Sequence, residues 1–247
     1  MAEDTATVKP VRTITPTAAL LSIAGAATIV VLLAALHFIK PELDPSWHFI
    51  SEYAIGDYGW IMVLAFLCLA FSCITLFIVI RSQTRTIGGK IGLAFLLVSA
   101  AGLTIAAIFI TDPITASQDE LTTHGNLHAL GAALGTGFPI AATLIARSLA
   151  RNQAWSSARR SLIWAAVLAW IGFLVFALSM AVMFPDDGKF GPDVLIGWPN
   201  RFMMLAYSVW LMVVAWQAIR VRDTWVPGSG REGVVRRGDD RPAEGGR

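Results

Sequence analysis

The sequence is poor in charged residues. They make up 15% of its 247 residues, whereas soluble domains carry about a quarter. Hydrophobic residues reach 55% and the mean hydropathy is +0.63, so the chain has more apolar side chain than a soluble core of this size buries. This composition excludes a soluble globular enzyme, a disordered protein and a nucleic-acid-binding domain. It requires a lipid bilayer as the solvent and principal partner.

Cysteine is also scarce. Cys68 and Cys73 lie five residues apart in one apolar stretch. On one helix this spacing places them on different faces and too far apart for a disulfide. They are therefore predicted to be small buried hydrophobic side chains. Walker, GxGxxG and CxxC patterns are absent from the sequence, so these nucleotide-binding and thiol-redox motifs give no lead to a function.

What the sequence has instead is six long apolar runs. About twenty apolar residues cross a hydrocarbon core of roughly 30 Å. The runs cover Ala18–Phe38, Trp60–Ile80, Ile91–Thr111, Leu127–Ala146, Leu162–Phe184 and Phe202–Ile219. We therefore predict an all-α polytopic membrane protein, with a six-helix transmembrane bundle over residues 18–219. The fourth run is rich in glycine and alanine, which favours close helix packing and a central place in the bundle.

Basic and acidic residues alternate between the segments that join these runs. The basic segments contain Arg81, Arg85 and Lys90, then Arg147, Arg151, Arg159 and Arg160, with further basic residues in tails 1–17 and 220–247. The acidic segments contain Glu42, Asp44, Glu52, Asp57, Asp112, Asp119, Glu120, Asp186, Asp187 and Asp193, with Lys40, Lys189 and Arg201 as exceptions. Because basic loops stay in the cytoplasm, we predict both termini inside and a plasma-membrane location. The C-terminal tail, rich in Gly, Arg, Asp and Pro, is predicted to be disordered.

The first acidic loop, residues 40–60, is rich in aromatic residues, which is typical of a belt at the headgroup level. A short amphipathic helix is predicted from Ser46 to Tyr53, with Ser46 as its N-cap. This helix carries Ser51 and Glu52, the candidate catalytic residues.

Two histidines follow the second acidic loop. His124 and His128 are four residues apart, so on a helix they share one face. That spacing suits two ligands of one zinc ion. His48 lies on the same side of the membrane and is the candidate third ligand, with Asp112 as an alternative. A non-metal interpretation is also open, in which the histidines form hydrogen bonds between helices and Thr123 or Asp112 caps a helix.

Arg201 is a lone basic residue at the start of the sixth run. It can pair with Asp112 or Glu52, bind a lipid phosphate, or extend its charged end to the membrane surface. Together with Asp112 and Trp198 it forms the candidate set of binding residues in a polar vestibule on the outer face.

Several short motifs resemble those of a bacterial and archaeal membrane family, domain-of-unknown-function 998. They are Ile50–Ala54 with Gly56, Gly59 and Trp60, then Phe109–Pro113, His124–Gly125 with His128, and Gly197–Arg201. The resemblance covers most of the chain between Ala18 and Ile219. It implies a multi-span bundle with these motifs on one side of the membrane, and it implies no reaction.

The sequence also contains the residue types that a second group of membrane proteins uses for catalysis. Membrane hydrolases of the alkaline ceramidase and adiponectin-receptor type place Ser, Asp and three His around zinc. Ser51, Asp112, His124 and His128 are similar in type, although the chain has six predicted spans where that group has seven.

Two functional hypotheses follow. In the first, the protein has no catalytic activity and binds a lipid or small molecule in the outer vestibule. In the second, it is a zinc-dependent hydrolase of an outer-leaflet lipid. Zinc would be held by His124, His128 and His48, with Glu52 as the general base. The second hypothesis requires the outer loops to converge on one centre.

Overall fold

The computed structural model describes residues 16–183 and 190–223, and its regular structure there is entirely helical. The α-helices are α1 (Pro16–Ile39), α2 (Trp60–Ile80), α3 (Ile87–Ile108), α4 (Thr123–Gly135), α5 (Phe138–Ala150), α6 (Arg159–Met183) and α7 (Gly197–Asp223). Short 3-10 helices cover Ile50–Ala54, Gln118–Glu120 and Gln153–Ala158. The predicted tails lie largely outside the described residues, as do Asp186, Asp187 and Lys189 of the third acidic loop.

Within residues 16–183 and 190–223, six helical stretches are long and apolar enough to cross a membrane, in agreement with the predicted number of spans. Five of them contain α1, α2, α3, α6 and α7. The sixth is Thr123–Ala150, which combines α4 and α5. The limits agree with the apolar runs to within about five residues, except that the fifth span begins at Gln153, nine residues before Leu162. Hydropathy over about twenty residues is a strong signal.

The fourth span is not one continuous helix, contrary to the single run expected from the sequence. α4 ends at Gly135 and α5 begins at Phe138, with Thr136 and Gly137 between them. Pro139 occupies the first turn of α5. Its nitrogen has no hydrogen to continue the ladder of α4, so the helix restarts there.

The position of α4 also differs from the expectation. Its main packing partner is α3, so it lies at the side of the bundle and not at its centre. The contact between these helices is very close, since a Cβ built on Gly102 would lie 2.4 Å from the carbonyl oxygen of Gly131. Gly131 of α4 therefore serves packing, as small residues do in membrane helices, whereas a Cβ built on Gly135 would have no neighbour within 4 Å among the described residues.

The loops gather at two ends of the bundle. At the acidic end, which we define by residues 40–59, 109–122 and 190–196, the backbone N–H of Gly197 donates to the carbonyl of Ser46 (2.9 Å). At the basic end, defined by residues 81–86 and 151–158, the hydroxyl of Thr86 donates to that of Ser148 (2.9 Å). The acidic loops thus lie at one end of the bundle and the basic loops at the other, as their charges predict. Between the two ends, α2 packs against α1, α3 and α7 and forms the centre of the core.

Candidate functional site

Arg201 lies in the first turns of α7 and is only 6% exposed. Its Nε donates to His37 Nε2 (2.9 Å) and its Nη2 to the hydroxyl of Tyr53 (3.2 Å). Its Nη1 donates to the carbonyls of His48 (2.8 Å) and Gly197 (3.0 Å). All three guanidinium nitrogens therefore have protein acceptors. This buried cation is held by neutral groups, and among the described residues neither Asp112 nor Glu52 forms an ion pair with it.

Aromatic rings surround the same guanidinium. Its central carbon lies 5.5 Å from the ring centroid of Tyr53 and 5.8 Å from that of Trp198, which is 56% exposed. Trp198 also stacks on His37, with centroids 6.3 Å apart. Because Nδ1 of His37 donates to the carbonyl of Leu33 (2.6 Å), its Nε2 is the unprotonated nitrogen that accepts from Arg201. Trp198 thus lies between the arginine and the surface of the bundle.

Glu52 is buried, 3% exposed, in the 3-10 helix Ile50–Ala54. Its Oε2 accepts from the backbone N–H of Phe49 (2.8 Å) and from His48 Nδ1 (3.0 Å). Its Oε1 accepts from the backbone N–H of Ile114 (3.0 Å) in the second acidic loop. Both oxygens are used within the protein, so the carboxylate ties two loops together.

The short helix begins four residues later than predicted, and its N-cap is Phe49 rather than Ser46. Ser46 instead belongs to a turn in which its backbone N–H donates to Asp44 Oδ1 (2.8 Å). Hydrogen bonds from Ser46 hold the pKa of Asp44 below its usual range. Hydrogen bonds from Ser117 lower the pKa of Glu120 in the same way.

Lys40 is a second buried cation at the acidic end, 6% exposed. Its ammonium donates to the carbonyls of Ile55 and Tyr53. In the sequence, Lys40 stands out only as an exception to the charge pattern. Lys40 is a basic residue in an otherwise acidic loop, next to an apolar run. This position was the available signal that its ammonium forms hydrogen bonds within the protein.

Asp112 holds the beginning of α4. Its Oδ2 accepts from the backbone N–H of Thr122 and its Oδ1 from the Thr122 hydroxyl, each at 2.8 Å. The Thr122 hydroxyl in turn accepts from the backbone N–H of Gly125 (3.0 Å) and so caps α4, one residue before the predicted Thr123. A Cβ on Gly125 would lie 1.9 Å from Asp112 Oδ2, so only glycine fits there.

The two histidines of α4 have different surroundings. Nδ1 of buried His128 lies 2.9 Å from the carbonyls of both Ala106 and Phe109 on α3. Since carbonyls only accept, Nδ1 carries the proton and Nε2 is an available acceptor. His124 is exposed and meets the ring of Phe109 edge-on at 5.4 Å. His128 therefore matches the non-metal interpretation, a hydrogen bond between helices.

The predicted zinc ligands do not converge. Over residues 16–183 and 190–223, no three His, Cys, Asp or Glu side chains lie close enough together to hold a metal ion. His48 is bonded to Glu52, and the proton-bearing nitrogen of His128 faces α3. The donor set that the hydrolase hypothesis needs, namely His48, His124 and His128, is thus not assembled.

A cavity of about 330 Å³ lies inside the bundle, below the acidic-end network. It is bounded by parts of α2, α3, α4, α5, α6 and α7 and by the short helix Ile50–Ala54. Its walls are largely apolar and contain no charged side chain. Sequence reasoning missed this cavity, because its lining comes from seven separate segments.

Six uncharged polar side chains line this cavity. The hydroxyls of Ser99 and Thr136 donate to backbone carbonyls of Phe95 and Ala133, and the other four side chains have donors or acceptors that the described residues do not use. The Ser51 hydroxyl forms no hydrogen bond with the described residues, and the Tyr207 hydroxyl is buried without a partner among them. Asn200 Oδ1 accepts from the backbone N–H of Ile50 (3.0 Å), which leaves its amide hydrogens available. Nε2 of His128 is the fourth such group. Buried polar groups are normally paired, and of these four side chains Tyr207 alone has a buried polar atom with no partner among the described residues.

The cavity is partly open beside α4. Ala129, Ala132 and Thr136 line the cavity and are also exposed on the bundle surface. α4 packs mainly against α3. No other described helix covers the opposite face of α4 to a similar extent. In a bilayer this opening meets lipid.

These features define a polytopic α-helical membrane protein with a lateral apolar cavity beneath a buried polar network. The chain belongs to the family described as "Protein of unknown function (DUF998)", whose model matches residues 23–217. No curated protein and no solved structure matches it significantly. The motifs that carry the family resemblance, from Ile50–Ala54 to Gly197–Arg201, all lie at or next to the acidic end.

Proposed function

We propose that this membrane protein binds a lipid, or another long apolar molecule with an uncharged polar group, in the 330 Å³ cavity. The observation that carries the proposal is a cavity with largely apolar walls that contains polar side chains with unused hydrogen-bonding atoms, among them the buried Tyr207 hydroxyl, which has no partner among the described residues. By the charge pattern of the loops, the acidic end faces outward, so the ligand enters from the outer leaflet of the plasma membrane.

The side chains define the chemistry of the ligand's polar group. The Asn200 amide and the Tyr207 hydroxyl donate, His128 Nε2 accepts, and the Ser51 hydroxyl does either. A hydroxyl, ester or amide satisfies such a set. A charged group does not, since no opposite charge lines the cavity and an unpaired charge is costly in a low-dielectric interior. The volume is at the lower end of the range for small-molecule sites, about 300–1,000 Å³.

In this proposal the binding residues lie deeper than the sequence suggested. Arg201 and Asp112 use their hydrogen-bonding atoms within the protein, and Trp198 covers Arg201. They hold the loops and α4 around the cavity. Ser51 becomes a ligand contact, and Glu52 fixes the short helix that carries it.

The test is a cavity-filling substitution with a matched control. Ala132→Trp places a large side chain at the opening, whereas Ala133→Trp adds the same side chain at an exposed position of α4 that does not line the cavity. Both variants and the wild type are purified in mild detergent, and co-purifying lipid is quantified by mass spectrometry per mole of protein.

We expect the wild type and Ala133→Trp to retain one class of neutral-headed lipid near one per protein. Ala132→Trp should retain several-fold less. Equal retention in both variants, or no enriched lipid in the wild type, would refute ligand binding in this cavity.

A further inference from the structure

A second recess lies at the basic end of the bundle, between α5 and α6. It has a volume of about 700 Å³ and lies at the opposite end from the network of Arg201. Arg147, Arg151 and Arg159 line its outer part, and Ile163, Val167 and Trp170 of α6 line the remainder. We refer to it as the basic groove.

Among the described residues, the three arginines have no partner that neutralises their charge. None of them forms a hydrogen bond or ion pair with the described residues, and no acidic side chain lines the groove. Arg147 and Arg151 are four residues apart, so they lie on one face of the helix end, one turn from each other. Three adjacent cations repel one another, and an anion between them removes that repulsion.

The wall below the arginines is apolar and elongated. Eleven residues separate Arg159 from Trp170, which is about 16 Å along a helix. Ile163 and Val167 lie between them, and both are exposed. At the far end Trp170 Nε1 donates to the Thr143 hydroxyl (2.8 Å), which joins α6 to α5 and closes the groove.

We propose that the basic groove binds one anionic phospholipid from the leaflet at the basic end. The phosphate lies among the guanidinium groups of Arg147, Arg151 and Arg159, which match phosphate oxygens in shape and charge. One acyl chain follows Ile163 and Val167 toward Trp170. Basic pockets between transmembrane helices are suited to anionic headgroups in this way. The proposal is independent of the cavity at the other end, which contains no charge.

Native mass spectrometry tests the preference for the headgroup. Detergent-purified protein is mixed with equal amounts of phosphatidylglycerol and phosphatidylcholine that carry identical acyl chains. We expect one phosphatidylglycerol per protein to be retained with roughly tenfold preference. The groove variant Arg147→Gln/Arg151→Gln/Arg159→Gln should lose this preference. The control Arg81→Gln/Arg85→Gln/Arg160→Gln removes three exposed charges from the same end, outside the groove, and should keep it.

Other outcomes overturn the proposal. Equal loss in both triple variants would mean that net charge at this end, and not the groove, attracts the lipid. Equal retention in both would mean that the lipid binds elsewhere. If the groove variant does not fold, Val167→Trp fills the apolar wall without changing charge and should also lower retention. Displacement of the lipid by millimolar glycerol 3-phosphate would show that the site binds a phosphate ion and takes no acyl chain.

Discussion

At the scale of single residues, the acidic end contains two buried cations and one buried carboxylate that do not pair with one another. Arg201 and Lys40 are held by carbonyls, a hydroxyl and an imidazole, and Glu52 by two backbone N–H groups and His48. Burying a charge is costly unless its hydrogen bonds are satisfied. Each of these groups meets that condition by binding loop backbone, so the charges fix the loop conformation.

This arrangement predicts that Arg201→Lys destabilises the protein although it preserves the charge. One ammonium cannot reach the acceptors on His37, His48, Gly197 and Tyr53 that the guanidinium reaches together. Hydrogen bonds to charged groups contribute about 1.5–3 kcal/mol each. We expect a loss of about 2 kcal/mol or more in the free energy of unfolding.

The measurement is the unfolding midpoint of purified protein in detergent, followed by circular dichroism. Arg81→Lys is the control, because Arg81 is exposed at the basic end and should tolerate the change. Equal midpoints for Arg201→Lys and wild type would contradict the role assigned to the guanidinium hydrogen bonds.

At the scale of secondary-structure elements, α4 depends more than the other helices on the side chain that fixes its first turn. It packs mainly against α3, and its beginning is fixed by Asp112 through Thr122. A carboxylate at a helix N-terminus also interacts favourably with the helix dipole. Because α4 forms one wall of the cavity, this anchor controls the geometry of the opening.

We therefore expect Asp112→Ala to loosen the first turns of α4 while the rest of the bundle remains folded. The lost cap interactions correspond to about 1–2 kcal/mol. Hydrogen–deuterium exchange should become faster in residues 123–128 and stay unchanged in α2. Asp119→Ala removes an exposed carboxylate from the same loop and should leave exchange in α4 unaltered. Uniformly faster exchange across all helices would argue against a local anchor.

The helices also show which features of the fold could be predicted from the sequence. The six spans were predictable, because each depends on hydropathy within about twenty consecutive residues. The break between α4 and α5 and the peripheral position of α4 could not be predicted. Glycines in this stretch are compatible with close packing anywhere in a bundle. The sequence singles out Asp112, Glu52 and Arg201 as unusual, but each has a partner elsewhere in the chain, at separations of 10, 62 and 164 residues. Spacing along the sequence does not reveal such partners.

At the scale of the whole molecule, the bundle has chemically different ends and a separate recess near each. The recess below the acidic end is uncharged, whereas the one at the basic end is lined by three arginines. If both binding proposals hold and the basic end faces the cytoplasm, the two recesses bind lipids of different headgroup chemistry in opposite leaflets. The orientation of the bundle therefore decides which leaflet each one samples.

Orientation is predicted from the loop charges and can be measured with introduced cysteines. Asp57→Cys places a thiol in an exposed position at the acidic end, and Ser82→Cys places one in an exposed position at the basic end. Cys68 and Cys73 lie within α2, so the wild type reports their background labelling. With a membrane-impermeant maleimide, we expect intact cells to label Asp57→Cys and to label Ser82→Cys only after permeabilisation. The reverse pattern would place the acidic end inside. It would then assign the basic groove to outer-leaflet lipid and the uncharged cavity to the cytoplasmic leaflet.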